Sequence, residues 1–114
     1  MTFGKMKFFS AMMTLNTIIC FSFPCAAADW EKPWSTVQGV QAAKCAQLFD
    51  AFQLQAVCME NEKRGYNKMQ GTFEMPNDVA GKAKDRCASM FDTFQLQAVC
   101  MENERTGYQK MKQY

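Results

Sequence analysis

The chain has no histidine. No imidazole is therefore present to act as a general base near neutral pH, to complete a Ser-His-Asp or Cys-His arrangement, or to ligate a metal. The histidine-ended haem-attachment motif is excluded with it. No C-x-x-C occurs, which removes the spacing of a thioredoxin-like redox centre. There is no glycine-rich loop of the kind that cradles phosphate. Net charge is also lacking where it counts. The formal +2 of the whole chain belongs to Lys5 and Lys7; beyond residue 28, 11 basic residues balance 11 acidic ones. A neutral chain without a basic run offers no electrostatic attraction to nucleic acid or to an anionic membrane.

What is present begins with an export signal. Lys5 and Lys7 precede an apolar stretch from Phe8 to Phe23, and Ala26-Ala27-Ala28 follows as a small-residue cleavage site. This is the layout of a secretory signal peptide, residues 1–28. The apolar stretch is short and interrupted by Ser, Thr and Asn, which disfavours a membrane span. A lipid anchor is disfavoured too, because Pro24 precedes Cys25 and Ile19 precedes Cys20. Cleavage after Ala28 leaves 86 residues, read as one domain over 29–114, periplasmic or secreted, with no membrane span. Four cysteines remain: Cys45, Cys58, Cys87 and Cys100. An even count in a small exported chain reads as a disulfide framework. Such a framework suits a core too small to hold itself together comfortably.

The same eleven residues, FQLQAVCMENE, occur at Phe52–Glu62 and again at Phe94–Glu104. Displaced by 42, residues 45–72 match residues 87–114 at 19 of 28 positions. Upstream, Val37 and Gly39 meet Val79 and Gly81. This is a tandem duplication, with copies over about 35–72 and 77–114, and each copy is expected to be one supersecondary unit.

Within a copy, Asp50 followed by Gln53 has the form of a capping box, with Phe49 and Leu54 as a hydrophobic staple. Asp92, Gln95, Phe91 and Leu96 repeat it. A helix is expected over about 51–70 and again over about 93–112. A preceding helix is expected over about 36–48, capped by Ser35 with Gln38, and over about 78–90, led by Pro76-Asn77. Gly71 and Pro76 punctuate the join between copies. The fold class is therefore all-α: two tandem helix hairpins, about four helices, each stapled by a disulfide. Cys45 lies about 6 Å from the end of its helix and Cys58 about 10 Å into the next, at 1.5 Å rise per residue. Helices folded back on one another bring such cysteines level. Four cysteines allow three connectivities. The duplicated spacing favours Cys45–Cys58 and Cys87–Cys100; the other two join the copies. Each short loop so closed contributes on the order of 3 kcal/mol.

On a helical wheel, Leu54, Val57, Cys58, Gly65 and Met69 share one arc, and Phe52, Met59 and Tyr66 share a second. The second copy repeats this. One arc can cover the partner helix of the hairpin. The other is expected to face the second copy, so that Phe52, Met59 and Tyr66 meet either Phe94, Met101 and Tyr108 or the other copy's first helix in a shared core; the rival reading leaves this arc exposed as a docking surface. Gly65 and Gly107, mid-helix, are expected at close helix crossings.

The pattern of Cys45, the segment Phe52-Gln-Leu-Gln-Ala-Val-Cys58, Tyr66 and the lead-in Met75-Pro76-Asn77-Asp78-Val79 resembles small exported bacterial proteins of unknown function with repeated Cys-containing helical hairpins. The resemblance covers most of the chain beyond the signal. It implies helical hairpins and a periplasmic setting, and it carries no catalytic residues.

Candidate site residues are few. Glu60 and Glu62 point about 200° apart on a helix and make no carboxylate pair. Asn61 and Glu62, with Asn103 and Glu104, place polar groups at or beside an apolar arc. They read either as partners for backbone groups at a helix end or linker, or as polar anchors in a ligand groove. Trp30 and Trp34 flank Pro33 and either cover the core or form a docking patch. Six methionines beyond the signal raise Cu(I) binding as an alternative, although their helical spacing suits core packing. The function expected is non-enzymatic: binding or structural interaction with a protein or small ligand of the cell envelope, without cofactor or nucleic acid.

Overall fold

The computed structural model describes residues 28–114. The expected signal segment lies outside the described residues, save Ala28. A single 3-10 turn, Asp29–Glu31, leads into four helices: α1 (Trp34–Leu48), α2 (Phe52–Met69), α3 (Asn77–Met90) and α4 (Phe94–Met111). The described residues are all-helical, and the helices pair as two hairpins. Three residues turn each hairpin, 49–51 and 91–93. Disulfides Cys45–Cys58 and Cys87–Cys100 cross them, each with Cα atoms 5.7 Å apart. Each bridge joins neighbouring helices within its own copy.

Helix starts fall one residue later than the capping boxes predict. The N-caps of α2 and α4 are Ala51 and Thr93, not Asp50 and Asp92. The Thr93 hydroxyl accepts from the Leu96 N–H at 3.3 Å. Asp92 is drawn elsewhere: Lys44 Nζ donates to both its carboxylate and its carbonyl at 3.0 Å. The glutamines that reach back are Gln55 and Gln97, whose Nε2 atoms donate to the carbonyls of Phe49 and Phe91 at 2.7 and 2.8 Å. Ser35 lies inside α1, because Pro33 is that helix's N-cap, as Pro76 is for α3. A proline before the first turn gives up an N–H that has no helical partner anyway. Between the copies, Phe73 and Glu74 both adopt left-handed backbone, φ 54° and 62°. That conformation is costly for side chains other than glycine. Packing of Phe73 on the core and an ion pair from Glu74 to Arg105 at 3.3 Å hold it.

The copies join through α2 and α4. At Gly65 the two backbones nearly touch: an added Cβ would stand 2.5 Å from the carbonyl carbon and oxygen of Phe94 and 2.6 Å from the Gln95 nitrogen. One turn earlier, Glu62 meets the start of α4; one turn later, Met69 shares a buried cluster with Met101. The contact thus advances in the same direction along both helices, with the second copy's helix slipped relative to its counterpart. The main cluster holds Met69, Met75, Ala80, Ala83, Cys87 and Met101, with Trp30, Phe73, Val79 and Tyr108 against it.

The slip corrects the symmetric shared core expected from the wheel. Phe94 is 1% exposed and Met101 fully buried, whereas Phe52 is 84% exposed. Gly65 sits at a close crossing as expected; Gly107 has nothing within 4 Å of an added Cβ. Identical words occupy different surroundings because the interface pairs the later part of α2 with the beginning of α4, and not like with like.

Candidate functional site

Along one face, Leu54 and Val57 of the first apolar arc remain open to solvent, beside Leu48 and Phe49 at the end of α1. Leu48, Phe49, Leu54 and Val57 are all exposed, at 67, 37, 45 and 49%. They ring a groove of about 340 Å³, walled by the Cys45–Cys58 bridge and closed on one side by Thr93, Gln95 and Leu96 of the second copy. Three residues, 49–51, separate the ends of α1 and α2, and the bridge holds the Cα atoms of Cys45 and Cys58 5.7 Å apart. The lining is mostly apolar. Lys44, Asn61 and Gln95 supply polarity, and Gln41, 1% exposed, leaves its Oε1 without a protein partner.

The second copy builds an equivalent groove from Met90, Phe91, Leu96, Val99, Cys100 and Asn103. Each of these occupies the repeat position of a residue lining the first. Met90 and Val99 are 67 and 52% exposed. Leu96 borders both grooves.

The sequence-nominated residues divide. Asn61 lines the first groove, and its Oδ1 accepts from Arg64 at 2.9 Å. Asn103 lines the second. Glu62, 4% exposed, lies at the back of the first groove, where its carboxylate accepts from the N–H groups of Phe94 at 2.9 Å and Gln95 at 3.4 Å. It satisfies two of the four N–H groups that a helix start leaves without partners, and its charge complements the helix dipole. Glu104, its repeat counterpart, pairs instead with Arg86 at 3.3 Å. Trp34 packs on Tyr66 and Phe94 with ring centroids 5.3 and 6.4 Å away. Trp30 is half-buried, with Lys84 Nζ 4.5 Å from its ring. The Tyr66 hydroxyl donates to the Lys32 carbonyl at 2.6 Å and Gln70 to the Trp30 carbonyl at 2.7 Å. The tryptophan segment is thus fastened onto α2.

Sequence reasoning did not single out Leu48, Phe49, Leu54, Val57 and Leu96 as a surface. The available signal was that both copies keep two large apolar residues at the end of the first helix, Leu48-Phe49 and Met90-Phe91, beyond the bridge. Among the described residues, no three or more Asp, Glu, His or Cys side chains gather as a metal site, and no helix is long and apolar enough to cross a membrane. The chain matches no protein-family model, no curated protein and no solved structure.

Proposed function

We propose that the protein works outside the cytoplasm, periplasmic or secreted, as a non-enzymatic binding protein whose grooves hold the apolar face of a protein or small ligand. The carrying observation is the open ring of Leu48, Phe49, Leu54, Val57 and Leu96 around a disulfide-walled cavity. Contiguous exposed apolar surface of this kind marks interaction sites. The bridges suit an oxidising compartment, where they persist. The balanced charge beyond the signal argues against nucleic acid as the partner.

Titration with an environment-sensitive apolar fluorophore tests the reading. Val57→Glu should weaken probe binding by about tenfold or more, because it places a charge where apolar contact is needed. Its melting temperature should stay near that of the wild type, since Val57 is half exposed. Unchanged probe affinity would reject the groove as the site.

A second reading, Cu(I) on thioethers, has one observation in its favour: Met69, Met75 and Met101 share a buried cluster. Burial among alanines also suits plain core filling. Copper(I) titration with mass detection separates the two readings.

A further inference from the structure

The interface between the two copies is heterologous: one face of the first copy receives a different face of the second. Both faces exist on both copies. One example of each is used inside the chain, so one of each is left over. We propose that the leftover faces dock on one another between molecules, so that a second copy of this chain adds head to tail.

The internal contact has three recognisable parts. Glu62 holds the backbone N–H groups at the start of α4. Gly65 lets the Phe94 backbone pass against α2, with the Phe94 ring edge-on to Tyr66 at 5.3 Å. Lys44 grips Asp92. Each part has its repeat counterpart at the free ends. Glu104, Gly107 and Tyr108 stand on α4 as Glu62, Gly65 and Tyr66 stand on α2. Arg86 replaces Lys44 with its charge kept, and Asp50 repeats Asp92. The free knob is Phe52, identical in its next ten residues to Phe94 and 84% exposed.

The free socket is also a cavity. A groove of about 540 Å³ is lined by Val79, Ala83, Arg86, Glu104, Gly107 and Tyr108, among others. Of the same positions in the first copy, Lys44, Glu62, Gly65 and Tyr66 touch the seated start of α4 or the turn before it, and Gln41 lines the groove beside it. Met69 is fully buried there, while its counterpart Met111 is 69% exposed. The socket thus offers a groove, an acid that repeats Glu62, a glycine that repeats Gly65 and a cation that repeats Lys44; the acid and cation, paired with each other in the single chain, would exchange partners on docking. A heterologous contact repeated in this way closes into a ring or continues as a filament, according to the rotation between copies. It does not depend on what the apolar groove binds.

Glycine 107 supplies a selective test. An added Cβ there meets nothing within 4 Å in the single chain. In a docked pair it would strike the incoming backbone at Phe52, as it would at Gly65. Sedimentation of the disulfide-intact protein over a concentration series reaching the millimolar range should show a mass rising above that of one chain. Gly107→Ala should stay at the mass of one chain throughout, with a melting temperature no lower than that of the wild type. Arg86→Asp and Asp50→Arg should each weaken assembly several-fold, and the two in one chain should restore it. A wild type that stays at the mass of one chain at every concentration would overturn the proposal. So would Gly107→Ala assembling as the wild type does.

Discussion

The Glu62 carboxylate caps the start of α4 in the other copy, accepting the Phe94 N–H at 2.9 Å. One acidic side chain thereby links the repeats and completes a helix terminus. Removing it leaves a buried N–H unpaired, a loss of about 1–3 kcal/mol. Glu62→Ala should therefore lower the urea midpoint distinctly. Glu104→Ala removes a partly exposed ion pair with Arg86 and should change stability by less than about 1 kcal/mol. Equal losses at the two sites would contradict the asymmetric interface.

The two mid-helix glycines should respond with opposite signs. At Gly65 a methyl group collides with the Phe94 backbone, which has no rotamer to give way. Forcing the helices apart costs about 1–3 kcal/mol or more, and the better helix propensity of alanine offsets only part of it. At Gly107 the site is open, so alanine should stabilise by up to about 1 kcal/mol. Thermal melts of both single variants, followed by circular dichroism, check the signs.

Phenylalanines 52 and 94 provide a parallel comparison. Phe94 is 1% exposed and packs against both Trp34 and Tyr66. Phe94→Ala should cost about 3–5 kcal/mol. It should do so in one transition, because Phe94 joins the copies. Phe52→Ala, measured at dilution, should stay within about 0.5 kcal/mol of the wild type. A large loss from Phe52→Ala would restore the symmetric core that the wheel suggests.

The duplication, the four helices and both bridges are legible in the sequence because they are local. Hydrophobic period, turn spacing and cysteine spacing lie within one copy. The relation between copies is not local. The words around Phe52 and Phe94 are the same, so nothing in them says which is buried; a slip of one helix along the other decides it. The caps fall one residue late in both copies, at Ala51 and Thr93. Lys44, 48 residues away, holds the Asp92 carboxylate, a contact that local sequence cannot announce and that Asp50 does not share. The groove is not legible because an apolar arc on a wheel reads as core, and nothing in the sequence says that Leu54 and Val57 stay 45 and 49% exposed.

Lys84 gives the fold a pH dependence with a definite sign. It is 6% exposed, beneath the Trp30 ring. Burial pushes its pKa below the ordinary 10.5, and the Glu31 carboxylate offsets part of that. Below the lowered value, folded and unfolded chains both carry the proton, and folding bears the full cost of burying the charge. Between the lowered value and 10.5 the unfolded chain holds the proton more firmly than the folded one. Stability from this group therefore rises with pH across that window and is level above it. Lys84→Met keeps the apolar stem and removes the titration. Wild type and variant differ at this one side chain, so the difference between them isolates Lys84. Urea unfolding of the two across alkaline pH should show the wild type gaining on the variant until the ordinary lysine value is reached. A difference that stays flat with pH would show that the Lys84 ammonium is not desolvated beneath Trp30.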